Sequence, residues 1–116
     1  MEIRNAQIES TMFGREDHGI MTFYIFVRWG KGTHCGIGGY ALDEYDPTTK
    51  SRRFCVESME AISQILETIG VDSWEKLPGQ YIRIKDNGLG KTIDEIGNLM
   101  EDKWFNLRKY FASFQT

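Results

Sequence analysis

Alternating apolar and polar side chains near the start of the chain predict a half-exposed strand. The residues that point to its apolar side are Ala6, Ile8, Ser10 and Met12. The segment from Ile20 to Trp29 is dense in Phe, Tyr, Ile and Val, so it predicts a central strand covered on both faces. Gly14 to Gly19 supplies a turn between the two strands, and we expect them to pair as a hairpin.

Glycine and turn residues interrupt the pattern in the middle of the chain. Five glycines between Gly30 and Gly39 predict a loop. Tyr40 to Asp43 predicts a short third strand, and Asp46 to Thr49 predicts a turn. An exposed basic connection then follows, formed by Lys50, Arg52 and Arg53.

From Glu57 the apolar residues recur every three or four positions, which predicts a helix that ends at Gly70. Its expected buried stripe consists of Met59, Ile62, Ile65, Leu66 and Ile69. The acidic residues of this helix lie mainly on its outer side. Ser73 is expected to cap a short helical turn that stops at Pro78.

The last third of the chain combines a clear strand with an ambiguous segment. Tyr81 to Lys85 predicts a fourth strand, with Ile82 and Ile84 buried. Ile93 to Met100 fits either a helix or a strand, and Trp104 to Phe114 predicts a closing amphipathic helix. The expected fold is therefore α+β, an antiparallel sheet of about four or five strands packed by one or two helices on one side.

Length and charge limit what such a fold can do. The chain has 116 residues, 41% of them hydrophobic, so we expect one domain over residues 1–116. A net charge of −3 argues against a broad duplex-binding face. The longest apolar run, Phe23 to Val27, is too short to cross a membrane, and the amino terminus lacks a signal-peptide pattern. A cytoplasmic protein with two reduced thiols, Cys35 and Cys55, is predicted.

Two glycine-rich stretches partly match nucleotide-binding motifs. Gly90, Lys91 and Thr92 spell the end of a phosphate-binding loop, but Lys85 stands where the first glycine belongs. The loop from Gly30 to Gly36 begins like a dinucleotide fingerprint and has Cys35 at its third glycine position. We interpret both as turns and predict no cofactor.

The first turn holds the residues best suited to acid and base chemistry. Glu16, Asp17 and His18 are adjacent there, and a histidine beside carboxylates could transfer protons. Hydrogen bonding within the turn explains the same residues. We predict no catalytic residue and no metal site, including one that would add His34 and Cys35. A small hydrolase or metal-dependent enzyme centred on Asp17 and His18 stays as an alternative.

Aromatic and basic residues occur together around the central glycine-rich loop. Trp29, Tyr40 and Tyr45 lie near a set of cations, Arg28, Lys31, Lys50, Arg52 and Arg53. Aromatic platforms beside positive charge stack on unpaired bases and hold phosphates. A module that binds single-stranded nucleic acid is the first alternative, ahead of the enzyme.

Charge is distributed unevenly along the chain. From Glu57 to Lys76 there are five acids and one base, a net charge of −4. From Met21 to Val56 there are five bases and three acids, a net charge of +2. Two unlike faces of this kind suit docking onto a protein complex with charged surfaces of its own.

Several short motifs in a common order resemble a group of small proteins of tailed phages and prophages. They are Met12–Ile20 (MFGREDHGI), Gly38–Asp43 (GGYALD), Gly70–Leu77 (GVDSWEKL), and Ile96-Gly97 followed by Asp102–Phe105 (DKWF). The resemblance spans nearly the whole chain. It implies a phage-encoded protein that acts in the cytoplasm of an infected bacterium. Under the nucleic-acid alternative, such a protein would serve phage replication or recombination.

The leading hypothesis is a non-enzymatic accessory protein that binds and inhibits a host defence complex, in the manner of an anti-CRISPR protein. Its expected partner is a host protein or ribonucleoprotein complex, with direct contact to nucleic acid left open. The oligomeric state is also left open, because an uncovered edge strand could pair with a second copy. The residues expected to contact the partner are Asp17, His18, Arg28, Trp29, Lys50, Arg52, Arg53, Glu57 and Glu60.

Overall fold

A six-stranded antiparallel sheet forms the centre of the computed structural model, which describes residues 1–16 and 18–114. Its strands are β1 (Glu2–Glu16), β2 (Ile20–Trp29), β3 (Thr33–Gly38), β6 (Tyr81–Asp86), β7 (Glu95–Gly97) and β8 (Trp104–Asn106). They lie in the order β3-β2-β1-β6-β7-β8. β4 (Asp43–Asp46) and β5 (Ser51–Phe54) form a separate two-stranded sheet.

Two helices accompany the sheets, α1 (Val56–Ile69) and α2 (Leu107–Ala112), together with a 3₁₀ turn at Trp74–Lys76. The α+β class and the antiparallel sheet are confirmed. The expected number of strands was too low, because the structure has six strands in one sheet and two in another. No helix in the described ranges is long and apolar enough to cross a membrane.

A single core lies between the helices and one face of the six-stranded sheet. Its apolar members are Ala6, Ile8, Phe23, Ile25, Val27, Ile37, Leu42, Ala61, Ile62, Ile65, Ile69, Leu77, Ile82, Ile84, Ile93, Ile96, Phe105, Leu107 and Phe111. The residues that alternate with them form the other face, which we call the open face. It is defined by Tyr24, Phe26, Arg28, His34, Tyr81, Arg83, Lys85 and Trp104.

The first strand is longer than expected and contains a β-bulge. β1 continues to Glu16 and pairs with β2 as the expected hairpin, so the turn is shorter than Gly14 to Gly19. The register shifts between Ile8 and Ser10. Because a bulge adds one residue, it reverses the alternation beyond it. Ser10 and Met12 therefore lie on the opposite face from Ala6 and Ile8, which corrects the expectation of one shared side.

β2 has the predicted bounds, but only one of its faces is buried. Phe23, Ile25 and Val27 are inaccessible to solvent, whereas Phe26 is 39% exposed and Arg28 is exposed. The prediction that both faces are covered is wrong, because the helices contribute their buried residues to one side of the sheet only.

The glycine-rich stretch is an edge strand rather than a loop. β3 pairs with β2 along Thr33–Gly38. Glycine is uncommon in strands because it has no side chain to pack. At Gly36 the missing side chain leaves room for the Phe26 ring, since an added Cβ would lie 3.2 Å from Cε1 of Phe26. The expected third strand at Tyr40–Asp43 is shifted, and β4 begins at Asp43.

The long helix has the predicted end, but its buried face is turned relative to the expected stripe. Gly70 closes α1 with φ 95° and donates its N–H to the Leu66 carbonyl. The buried helix residues are Ser58, Ala61, Ile62, Ile65, Thr68 and Ile69. Met59 is 64% exposed, so its assignment to the core was wrong. Ser58 takes the inward position one residue earlier.

The ambiguous segment near the carboxyl end is a strand. β7 pairs with β6 and β8, and Gly97 is buried under the indole of Trp104. The expected helix from Trp104 starts later, at Leu107, because β8 occupies the first three residues. Asn106 caps that helix by accepting a hydrogen bond from the Lys109 N–H. Ser73 begins the 3₁₀ turn, but its side chain makes no capping bond.

Candidate functional site

A small apolar groove opens where the first hairpin meets α1. We define the apolar groove by its lining residues, Phe13, Met21, Leu42, Phe54, Cys55, Ser58, Met59 and Ile62. Its volume is about 120 Å³. β1 and β2 contribute one wall, the end of β5 another, and α1 the third. It therefore joins segments that are far apart in the sequence.

The rim of the apolar groove consists of large hydrophobic side chains that face solvent. Phe54 and Met59 are each 64% exposed, and Phe13 is 39% exposed. Leu42 and Ile62 form its floor, since they are 4% and 8% exposed. Scattered exposed hydrophobic residues are ordinary, but residues gathered around one depression are typical of a binding site.

Local structure holds the rim in place. The Phe13 ring packs edge-on against Trp74, with ring centroids 5.3 Å apart. Cys55 lies immediately before α1, and its Sγ is 2.9 Å from Oγ of Ser58. This contact fixes the first turn of the helix beside Phe54. The groove is thus built on packed elements rather than on a loop tip.

The exposed surface of α1 carries acidic side chains that do not line the apolar groove. Glu57 and Glu60 are both exposed on the first turns of the helix. Farther along the helix Glu67 is exposed as well. The only base from Glu57 to Lys76 is Lys76 itself, which pairs with Asp72 at 2.7 Å. The exposed surface of α1 is therefore negative.

The residues predicted to contact a partner fall into separate parts of the fold. Arg28 and Trp29 end β2, where Arg28 donates to Oε1 of Gln7 at 2.9 Å and Trp29 packs partly against the core. His18 is exposed in the first turn with φ 58°. Asp17 lies outside the described residues. The enzymatic alternative therefore has only its histidine within the described structure.

The other predicted residues are consecutive along the second hairpin and α1. Lys50 occupies the hairpin turn with φ 54°, and Arg53 is exposed on β5. Glu57 and Glu60 follow on the first turns of α1. In the sequence Arg53 is adjacent to the rim residue Phe54, and Glu60 is adjacent to Met59. None of the predicted residues within the described ranges lines the apolar groove, and its rim residues Phe13, Phe54 and Met59 were not predicted.

Arg52 forms an ion pair within the fold. Its Nη2 donates to Oδ1 of Asp43 at 2.8 Å and to the Asp43 carbonyl at 3.1 Å. Both carboxylate oxygens of Asp43 also accept from the Met21 N–H at 3.3 Å. Burial opposes ionisation of Asp43, but the Arg52 and Met21 hydrogen bonds outweigh it, so the pKa of Asp43 lies below its ordinary value of 3.8. The pair holds the second hairpin against β2.

Side chains of the motifs considered for catalysis or cofactor binding make contacts within the fold. His34 places Nδ1 2.6 Å from Oε1 of Glu9, and Cys35 points to the other face of β3. Burial is the main reason that the pKa of Cys35 is raised. Within residues 1–16 and 18–114, no cluster of three His, Cys, Asp or Glu residues could hold a metal ion.

The Gly90-Lys91-Thr92 segment leads into a strand and not into a helix. Thr92 donates its hydroxyl to Asp94, and β7 begins one residue later. A phosphate-binding loop of the usual kind depends on the N–H groups of a following helix. This segment lacks that element and does not form a loop of that kind. The apolar groove, which gathers exposed hydrophobic side chains, is the candidate site.

Comparisons of the chain with protein-family models, curated proteins and solved structures found no match.

Proposed function

We propose that this protein acts without catalysis, by docking its apolar groove onto a bacterial defence complex and obstructing it. The observation that carries the proposal is the gathering of Phe13, Phe54 and Met59 at solvent around one apolar depression. Protein interfaces are built in this way: a few apolar side chains become buried at the centre, and polar residues surround them. The proposal extends the resemblance to tailed-phage proteins, which implies action against a host system.

The dimensions of the groove define the contact. A volume of about 120 Å³ accommodates one apolar side chain of a partner and is well below the roughly 300 Å³ at which small-molecule sites begin. A partner side chain inserted there would contact Leu42 and Ile62 and would cover the exposed rim. The groove therefore suits a protein anchor better than a substrate.

The charge on α1 defines the surroundings of that anchor. Glu57, Glu60 and Glu67 are exposed on this helix, so a partner surface that also covers α1 carries lysine or arginine near its apolar residue. Complexes that handle nucleic acid present such basic surfaces to their guides and targets. Occupying one of them would block the defence reaction at one copy of inhibitor per complex.

Met59→Glu is expected to abolish this inhibition. A charge at the rim places an uncompensated carboxylate in the interface, and the loss of one apolar anchor weakens a complex by about 2 kcal/mol or more, which exceeds tenfold in affinity. The measurement is phage plating on bacteria that carry a broad panel of defence systems. It is followed by titration calorimetry of the purified protein with the effector that it inhibits.

Ser63→Glu is the matched control, because Ser63 is exposed on the same helix and does not line the groove. It adds the same charge and should retain full inhibition. The proposal is wrong if wild-type protein protects phage from no system in the panel. Equal loss of inhibition in Ser63→Glu and Met59→Glu would remove the groove as the docking site.

A further inference from the structure

The open face of the six-stranded sheet carries aromatic residues that the apolar groove does not use. Tyr24 and Phe26 lie on β2, and Tyr81 lies on β6. Phe26 is 39% exposed and Tyr81 is 56% exposed. Strands β2 and β6 flank β1, so these rings are separated by two strand spacings, about 10 Å across the sheet.

Two of these rings lie across the edge strand. The rings of Tyr24 and Phe26 are stacked, with centroids 5.6 Å apart and an angle of 16° between their planes. A Cβ added to Gly36 would meet both Phe26 ring carbons at 3.2 and 3.3 Å and the Tyr24 ring at 3.6 Å. The rings therefore occupy the space of the missing side chain, and their outer surfaces face solvent above β3.

A cation lies between the two aromatic positions. Arg28 follows Phe26 by two residues on the same face of β2, and the row across the sheet runs from Arg28 through Gln7 to Tyr81. Its Nη2 donates to the neutral amide of Gln7 at 2.9 Å, and it makes no ion pair with any residue of the described ranges. Glu9, the nearby acid, is engaged by His34.

Exposed aromatic rings with a positive charge between them form a pattern suited to unpaired bases. Each ring can stack on a base of any identity, and a guanidinium binds the phosphate between bases. A duplex keeps its bases stacked internally and offers no ring surface to these residues.

We propose that the open face binds single-stranded nucleic acid, with bases stacked on Phe26 and Tyr81 and a phosphate held by Arg28. This inference is independent of the docking proposed for the apolar groove, because the two sites share no residue. It also differs from the sequence-based alternative, which placed the aromatic contacts on Trp29, Tyr40 and Tyr45. Tyr40 instead stacks on Phe111 of the core at 4.6 Å.

The test is fluorescence polarisation of the full chain with labelled 15-nucleotide dT and rU oligonucleotides and with a 15-base-pair duplex, at low salt. Phe26→Ala and Tyr81→Ala should each weaken single-strand binding by about five- to hundredfold, the usual contribution of one stacked base. Arg28→Gln should weaken binding and reduce the salt slope by about 0.7, as expected for one lost phosphate contact.

Phe54→Ala is the matched control, since it removes an exposed aromatic ring from the apolar groove and not from the open face. Its affinity for oligonucleotides should equal that of the wild type. Thermal melts monitored by circular dichroism identify any variant that fails to fold, and Phe26→Leu then replaces Phe26→Ala. The inference is overturned if the wild type binds neither oligonucleotide, if the duplex binds equally well, or if Phe54→Ala loses as much affinity as Phe26→Ala.

Discussion

Replacing Ile65 with alanine is expected to lower the free energy of unfolding by about 2 to 5 kcal/mol. Ile65 is completely buried on α1 and belongs to the core between that helix and the sheet. The shorter side chain loses its transfer free energy and leaves a cavity that a packed core fills only in part. Urea denaturation followed by circular dichroism measures the change, as a shift of the midpoint at constant slope.

Met59→Ala is the control variant for Ile65→Ala. Both residues belong to the stripe predicted from helical spacing, but Met59 is 64% exposed. Its replacement should therefore change the free energy of unfolding by less than about 0.5 kcal/mol. Similar losses for the two variants would show that the helix is not oriented as described, and the apolar groove would then lose its rim.

Arg52→Ala is expected to destabilise the protein at neutral pH, because removing one partner of the pair leaves the other charge without its counter-ion. The Asp43 side chain is only 2% exposed, and Arg52 is its cationic partner at 2.8 Å. The Arg52 side chain is 27% exposed, so solvent screens part of the effect. Removing Arg52 leaves a buried carboxylate that still accepts from the Met21 N–H.

The ion pair between Arg52 and Asp43 predicts that the stability of the protein falls under acid conditions. Asp43 has a lower pKa in the folded protein than its ordinary value of 3.8, so its ionised form stabilises the fold. That contribution is complete above pH 3.8 and is lost as the pH falls through the lower folded value. The difference in stability between wild type and Arg52→Ala should accordingly be constant near pH 7 and shrink under acid conditions.

Arg53→Ala is the neighbouring control for this effect. The Arg53 side chain is 69% exposed, and its Nη1 lies 3.4 Å from Oδ2 of Asp46. The loss of unfolding free energy should therefore stay within about 1 kcal/mol. A loss for Arg52→Ala as small as that for Arg53→Ala would contradict the role assigned to Asp43. Constancy of the Arg52→Ala difference down to pH 2 would contradict the lowered pKa.

Periodicity predicted the elements whose burial is simple. β2, the strand at Tyr81–Lys85 and the helix ending at Gly70 all lie where the apolar residues indicated. Each has a continuous run of side chains that face one core, so local spacing carries the information. The glycine stop of α1 was predictable for the same reason, since only a local backbone conformation is involved.

The elements that were missed depend on contacts far along the chain. In β3 the glycine at position 36 is explained by the Tyr24 and Phe26 rings, which occupy the space above it. The bulge after Ile8 turns Ser10 and Met12 outward without any signal in the spacing of apolar residues. The three residues of β8 read as the start of a helix, because their aromatic side chains fit both periods.

The candidate site was accessible to sequence reasoning only in part. Glu57 and Glu60 were expected at a partner surface, and they are exposed on α1, the helix that forms one wall of the apolar groove, without lining it. The rim itself brings together Phe13, Phe54 and Met59 from three elements, and no local pattern connects those positions.

The most direct measurement uses the defence complex that the phage-plating panel identifies as a target. It is titrated with this protein, and the activity of the complex is recorded against the molar ratio. Docking at the apolar groove predicts a linear fall to an end point at one copy per complex, with Met59→Glu leaving the activity intact. Full inactivation at a small fraction of one copy per complex would instead show turnover, and the protein would then be an enzyme.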